Sequence, residues 1–153
     1  MIDAGATSQH IVRVLIEFGV APGSSALADI ADPERGDIHG AAIVRSAIDD
    51  EEILERFLYS IVNEGAKILG EQIAMQPVDI DMIWLHGYGF PAWRGGPMFC
   101  ADQVGLANVR AAIQRLCEHL QSEQWTPAPL LSRLVAQRMS FYPEARLRPT
   151  IIC

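Results

Sequence analysis

The stretch that most restricts the fold is "DEEILERFLYSIVNEGAKILG", residues 50–70. At ~100° per residue, Ile53, Leu54, Phe57, Leu58, Ile61, Val62, Ile68 and Leu69 fall on one broad arc, the pattern of an amphipathic helix. Asp49 or Asp50 is placed to cap it, and acids in its first turn suit the positive end of the helix dipole. The predicted helix runs from about 50 to 72. Glu52, Arg56, Asn63 and Lys67 gather on the opposite side, with Glu52 and Arg56 spaced to pair weakly. Gly65 lies mid-helix on the apolar side. Glycine there costs about 1 kcal/mol against alanine, so another chain segment is expected to approach closely. A helix of this length with one apolar face is the spine of a domain.

The other periodic segments are also helical. "QHIVRVLIEFG" predicts a helix over 9–19 that Gly19 ends, and residues 20–40 hold turn-forming clusters that predict loop. "QPVDIDMIWLHG" predicts a shorter helix with Pro77 in its first turn, Asp79 and Asp81 at its positive end, and Ile80, Ile83 and Trp84 as the buried stripe. His86-Gly87 is expected to close it. A short helical segment, a break at Gly105, and a helix over 106–120 follow, with Val109, Ala112, Ile113, Leu116 and Leu120 on one face. Pro127 or Pro129 opens a last helix, and the tail beyond Tyr142 is expected to fray. No segment alternates strictly enough for a strand. The expected fold is all-α, divided into a short helix plus loop over 1–44, a helical domain over 45–142, and a tail over 143–153.

Half of the 153 residues are hydrophobic, enough for a buried core, and the formal charge is -7. With no basic run and no interleaved basic and aromatic stripe, nucleic acid is not an expected partner. The longest apolar runs fall far below the ~20 residues of a membrane span, and no signal peptide is visible. Cys100, Cys117 and Cys153 match no zinc spacing and read as free thiols of a cytoplasmic protein. The four histidines lie at 10, 39, 86 and 119, none four residues from another, so no metal site is expected. Dinucleotide fingerprint, phosphate loop, zinc-protease and nucleophile-elbow motifs are all missing from the sequence.

The oddest segment is "GYGFPAWRGGPM", residues 87–98. Arg94 beside Gly95 and Gly96 suits an anion cradle, since glycine frees backbone N–H groups and the guanidinium adds charge. The competing reading is a tight corner. In it Phe90, Trp93, Met98 and Phe99 plug the core and Arg94 pairs with Asp102 or Asp81. The aromatic content favours the corner. His86 reads as a general base or, more simply, as a helix-end histidine. Glu64 reads as a buried acid or, better, as a snorkelling or ion-paired one.

Residues from about 45 to 141 resemble the C-terminal helical domain of 3-hydroxyacyl-CoA dehydrogenases, and the last helical repeat of multifunctional fatty-acid β-oxidation enzymes in particular. The resemblance rests on NEG at 63–65, DID at 79–81 and GYGFPAWRGGPM at 87–98, in that order. It implies the all-α fold of the C-terminal part of 6-phosphogluconate dehydrogenase. In that family hydride transfer to NAD uses a His and Glu near the end of a separate dinucleotide-binding domain. The first helical repeat opens its long helix with Asn-Arg, the Asn lying at the active site; by register those positions here are Glu55 and Arg56, so the Arg is kept and the Asn is absent. The resemblance therefore implies no catalytic residue and no bound cofactor in this chain. Its expected partners are a dehydrogenase domain or a second copy in a homodimer. Acyl-CoA contact at Arg94 is a further expectation.

Overall fold

Asp49 starts the long helix: its side chain accepts from the backbone N–H of Glu52 at 2.8 Å, the N-cap bond that the sequence predicts. The helix ends at Gly70, two residues early, because Gln72 turns into the left-handed region at φ +60°. The structure is a computed structural model that describes residues 8–24, 27–28 and 49–143. Among those residues the elements are α1 (Ser8–Phe18), α2 (Asp50–Gly70), α3 (Pro77–Gly87), α4 (Pro97–Val104), α5 (Leu106–Leu120) and α6 (Pro129–Ala136). Single 3-10 turns lie at Ala92–Arg94 and Glu123–Trp125, and no strand is present among the described residues. The all-α class read from the sequence is the class observed. The tail from 144 onward and most of the expected 20–40 loop lie outside the described residues.

α2 packs against each of the other five helices. Ile53, Phe57, Leu58, Ile61, Val62 and Ala66 enter the core, as the periodicity requires. The expected polar face is not wholly solvated, however: Arg56 and Asn63 are both 1% exposed. A helix contacted on nearly every side has no broad face left for water. Arg56 keeps Glu52 as its i,i+4 partner, now at the edge of the core. Gly65 meets the expectation of close approach, since a Cβ there would lie 2.8 Å from Met98 Sδ on α4.

α1 ends as expected. Gly19 N–H donates to the carbonyls of Leu15 and Ile16, and Val20 N–H donates to that of Leu15. Ile11, Val14, Leu15, Phe18 and Val20 join the same core as α2. Gly105 separates α4 from α5, and Pro129 opens α6. Cys100 is buried and Cys117 half-buried, and Cys100 Sγ donates to Arg94 carbonyl at 3.4 Å.

α3 departs from its expected pattern in two places. Ile83 is 57% exposed rather than buried, and only Ile80 and Asp81 are fully inside. The closing left-handed glycine is Gly89 at φ +71°, not Gly87, which remains helical. The turn is displaced because Tyr88 and Phe90 N–H groups both donate to Trp84 carbonyl. No described helix is long and apolar enough to cross a membrane.

Candidate functional site

The candidate site is built around the glycine corner between α3 and α4. α4 begins at Pro97, and its N-cap is Gly96, which has no side chain with which to satisfy the first free amides. Asp81, one helix away, does this instead. Its Oδ1 accepts from Met98 N–H at 2.7 Å, and its Oδ2 accepts from Phe99 N–H at 3.2 Å and from the Tyr142 hydroxyl at 2.7 Å. The sequence places Asp81 with Asp79 at the positive end of α3. Asp79 does lie there, accepting from Gln76 N–H at 2.8 Å, whereas Asp81 points inward and caps α4.

Asp102 performs a parallel task on the chain beyond α6. It accepts from Phe141 N–H at 2.9 Å and Tyr142 N–H at 2.6 Å. The Tyr142 ring packs edge-on against Phe99 with centroids 6.0 Å apart. Two carboxylates and one tyrosine therefore tie the last described turn to the corner. Burial pushes the Asp81 carboxyl up to about 6, with the charge of Asp102 pushing the same way and the bonds from Tyr142, Met98 and Phe99 opposing. Burial likewise pushes the Tyr142 hydroxyl up, and its bond to Asp81 adds to the shift.

This has a measurable consequence. Between about pH 4 and 6 folded Asp81 keeps a proton that the unfolded chain has released, so its contribution to stability falls as pH rises through that window and is constant above it. The loss is on the order of 2 kcal/mol. Urea unfolding of the chain and of Asp81→Asn at pH 4 and pH 7 should show this component only in the former. An equal pH dependence in both would exclude it.

Arg94 lies on the other side of the corner and meets neither expected carboxylate, because Asp81 and Asp102 face backbone amides. Its Nε donates to Phe18 carbonyl at 3.2 Å, tying the corner to the end of α1. Its guanidinium carbon sits 3.9 Å from the Phe18 ring centroid and 4.0 Å from that of Trp93. Phe90 and Met98 fill the core as expected and Phe99 is half-buried, but Trp93 is 58% exposed. Trp93 covers the guanidinium rather than plugging the interior.

Sequence reasoning passed over two buried parts of this framework. Trp125 is 1% exposed, and Asn63 holds the segment that follows it. Asn63 Nδ2 donates to Thr126 carbonyl at 2.9 Å, and its Oδ1 accepts from Ala128 N–H at 2.8 Å. The available signal was an amide side chain two positions before Gly65, near the middle of the long helix. Glu64 is exposed with Lys67 3.5 Å away, in keeping with its ion-paired reading. His86 lies exposed in the last turn of α3.

A separate open cleft of about 740 Å³ lies between the start of α2 and α5, lined by Asp49, Glu51, Glu52, Glu55, Arg115 and His119 among others. Burial pushes the Glu55 carboxyl up despite nearby Arg115, and the neighbouring acids add to the push. A cleft this acidic repels phosphate-bearing ligands. Among the described residues, no group of three or more His, Cys, Asp or Glu side chains is arranged to hold a metal ion.

Residues 53–140 match the family model described as 3-hydroxyacyl-CoA dehydrogenase, C-terminal domain. The chain belongs to this family. The match takes in most of α2 and all of α3 to α6, Asp81 and Asp102 included, while α1 and the Phe141 and Tyr142 groups that these carboxylates hold lie outside it. The fold of this 3-hydroxyacyl-CoA dehydrogenase C-terminal domain is all-helical, of the kind shared with the C-terminal part of 6-phosphogluconate dehydrogenase. The chain is similar to the peroxisomal bifunctional enzyme of Danio rerio, 50% identical over 91 residues, which is 59% of this chain and 13% of that protein. The Homo sapiens peroxisomal bifunctional enzyme is 46% identical over 91 residues, with the same coverage of both chains. Fatty acid oxidation complex subunit alpha of Psychrobacter sp. (strain PRwf-1) is 36% identical over 97 residues, 63% of this chain and 13% of that protein. The domain thus spans about an eighth of these curated relatives.

Proposed function

We propose that this domain serves a 3-hydroxyacyl-CoA dehydrogenase of fatty-acid β-oxidation as a packing part of its substrate domain, without hydride chemistry or bound NAD of its own. The observation that carries the reading is the use of the corner's polar groups. Asp81, Asp102 and Asn63 are directed at backbone amides and carbonyls inside the domain, and Arg94 Nε at the carbonyl of Phe18. These groups hold helices together, as befits a module whose task is to present a surface. The domain's partner in this reading is a dehydrogenase chain or a second helical module. A cytoplasmic location belongs to the same proposal, supported by an odd number of cysteines at spacings that suit no paired framework.

A second reading, acyl-CoA contact at Arg94, is favoured by the exposed Trp93 ring stacked on the guanidinium, a surface suited to a base and a phosphate. One set of measurements separates the two. The purified chain, given NAD and a 3-hydroxyacyl-CoA, is expected to form no NADH, and turnover would overturn the packing reading. Calorimetric titration with an acyl-CoA is expected to give no heat. Saturable heat that disappears in Trp93→Ala would establish the second reading.

A further inference from the structure

We propose that the seat beneath α1 is a docking site for an amphipathic helix of a partner chain, occupied in cis by α1 itself. The proposal rests on the reading of the domain as a packing module and names the surface with which it packs.

α1 has the form of a docked ligand. Ile11, Val14, Leu15 and Phe18 recur at i, i+3, i+4 and i+7, the spacing by which a helix lays one apolar face into a receiving surface. All four are buried, whereas Arg13, Ile16 and Glu17 on the other side face solvent. The buried face rests on α2.

The seat is shaped for a helix at both ends. At the start, the Asp50 carboxylate meets His10 Nε2 at 2.6 Å and the Arg13 guanidinium at 3.4 Å. At the end, Phe18 is the last residue of α1, and its carbonyl is one of those that a helix leaves without an internal partner. Arg94 Nε donates to it, and the Phe90 ring meets the Phe18 ring edge-on with centroids 5.8 Å apart. One turn further, Gly89 carbonyl accepts from Ala21 N–H at 2.9 Å. Glycine on both sides permits this approach. A Cβ on Gly89 would lie 2.7 Å from Ser24 Cβ, and one on Gly19 would lie 3.1 Å from Pro91 Cβ. Gly89, Phe90, Pro91 and Arg94 lie inside the family match and α1 lies outside it, so the seat belongs to the matched domain and its occupant does not. The partner that fits has four apolar residues at this spacing, a cation in its first turns for Asp50, and an aromatic residue followed by glycine at its end.

A fluorescent peptide of residues 8–24 tests this by anisotropy. It should bind the 153-residue chain carrying Leu15→Glu at least tenfold more tightly than the unaltered chain. The glutamate expels α1, whereas in the unaltered chain the tethered copy competes at an effective concentration on the order of 1 mM. A peptide with the same glutamate should bind neither chain, and Arg94→Ala added to the Leu15→Glu chain should weaken binding several-fold. No binding by a Leu15→Glu chain that keeps its helix content by circular dichroism, or equal binding by both chains, would overturn the proposal. Hydrogen exchange of the unaltered chain is a second test that needs no variant. α1 amides, corrected for intrinsic rate, should exchange at least tenfold faster than the core amides of α2, because α1 can leave its seat while α2 stays folded. Equal protection of the two helices would overturn the proposal as well. Turnover in the NADH assay would sink the packing reading and leave the peptide result standing, so the two ideas can fail independently.

Discussion

Gly96→Ala is expected to lose about 4 kcal/mol of stability, a large share of what a domain of this size holds. Gly96 sits at φ +107° and ψ 164°, backbone territory that is essentially closed to residues with a Cβ and that alone costs ~1–3 kcal/mol. The added methyl would also overlap the Asp81 carboxyl group. Asp81 cannot yield without releasing Met98 N–H, Phe99 N–H and the Tyr142 hydroxyl, and each buried donor left unsatisfied costs ~1–3 kcal/mol. Gly23→Ala is the control for backbone strain. It has a similar left-handed glycine, at φ +80°, but nothing within 4 Å of an added Cβ. Equilibrium urea unfolding of both variants should show a large loss for Gly96→Ala and ~1 kcal/mol for Gly23→Ala. Equal losses would mean that the carboxylate knot contributes little.

Asn63→Asp should cost ~3 kcal/mol at neutral pH although it changes one atom. Asn63 Nδ2 donates to the carbonyls of Thr126 and Gln124, and aspartate would set an oxygen against both. The new carboxylate would be buried where Asn63 is 1% exposed, so it is driven to hold a proton, which it then donates to a carbonyl. Its folded pKa is raised, so the stability it removes at neutral pH should return in part as pH falls toward 4. Fluorescence of the neighbouring buried Trp125 and thermal melts at pH 4 and pH 7 provide the readout. A melting point that is insensitive to the substitution, or equally depressed at both pH values, would contradict the role assigned to Asn63.

The helices themselves were legible because their causes are local. The 3.6-residue period of α2, the aspartate before it, the proline opening α6 and the glycine between α4 and α5 act over a turn or two of chain. Gly65 also announced a close neighbour, since an internal glycine is unfavourable unless something occupies the space of its missing side chain. The motifs at 63–65, 79–81 and 87–98 carried the family. Chemistry at the corner was less accessible. Arg94 was expected to find Asp81 or Asp102, the nearest opposite charges along the chain. It instead meets the Phe18 carbonyl, which is 76 residues away in sequence.

Burial of the polar residues was decided by tertiary structure alone. Arg56 and Asn63 sit where the helical wheel draws a solvated face, and they are inside because helices surround α2 on nearly all sides. Ile83 and Trp93 show the converse, apolar side chains left outside because no described element covers them. Periodicity tells a helix which residues share a side. How many neighbours that side receives depends on contacts between distant segments, and those follow from packing the whole chain at once.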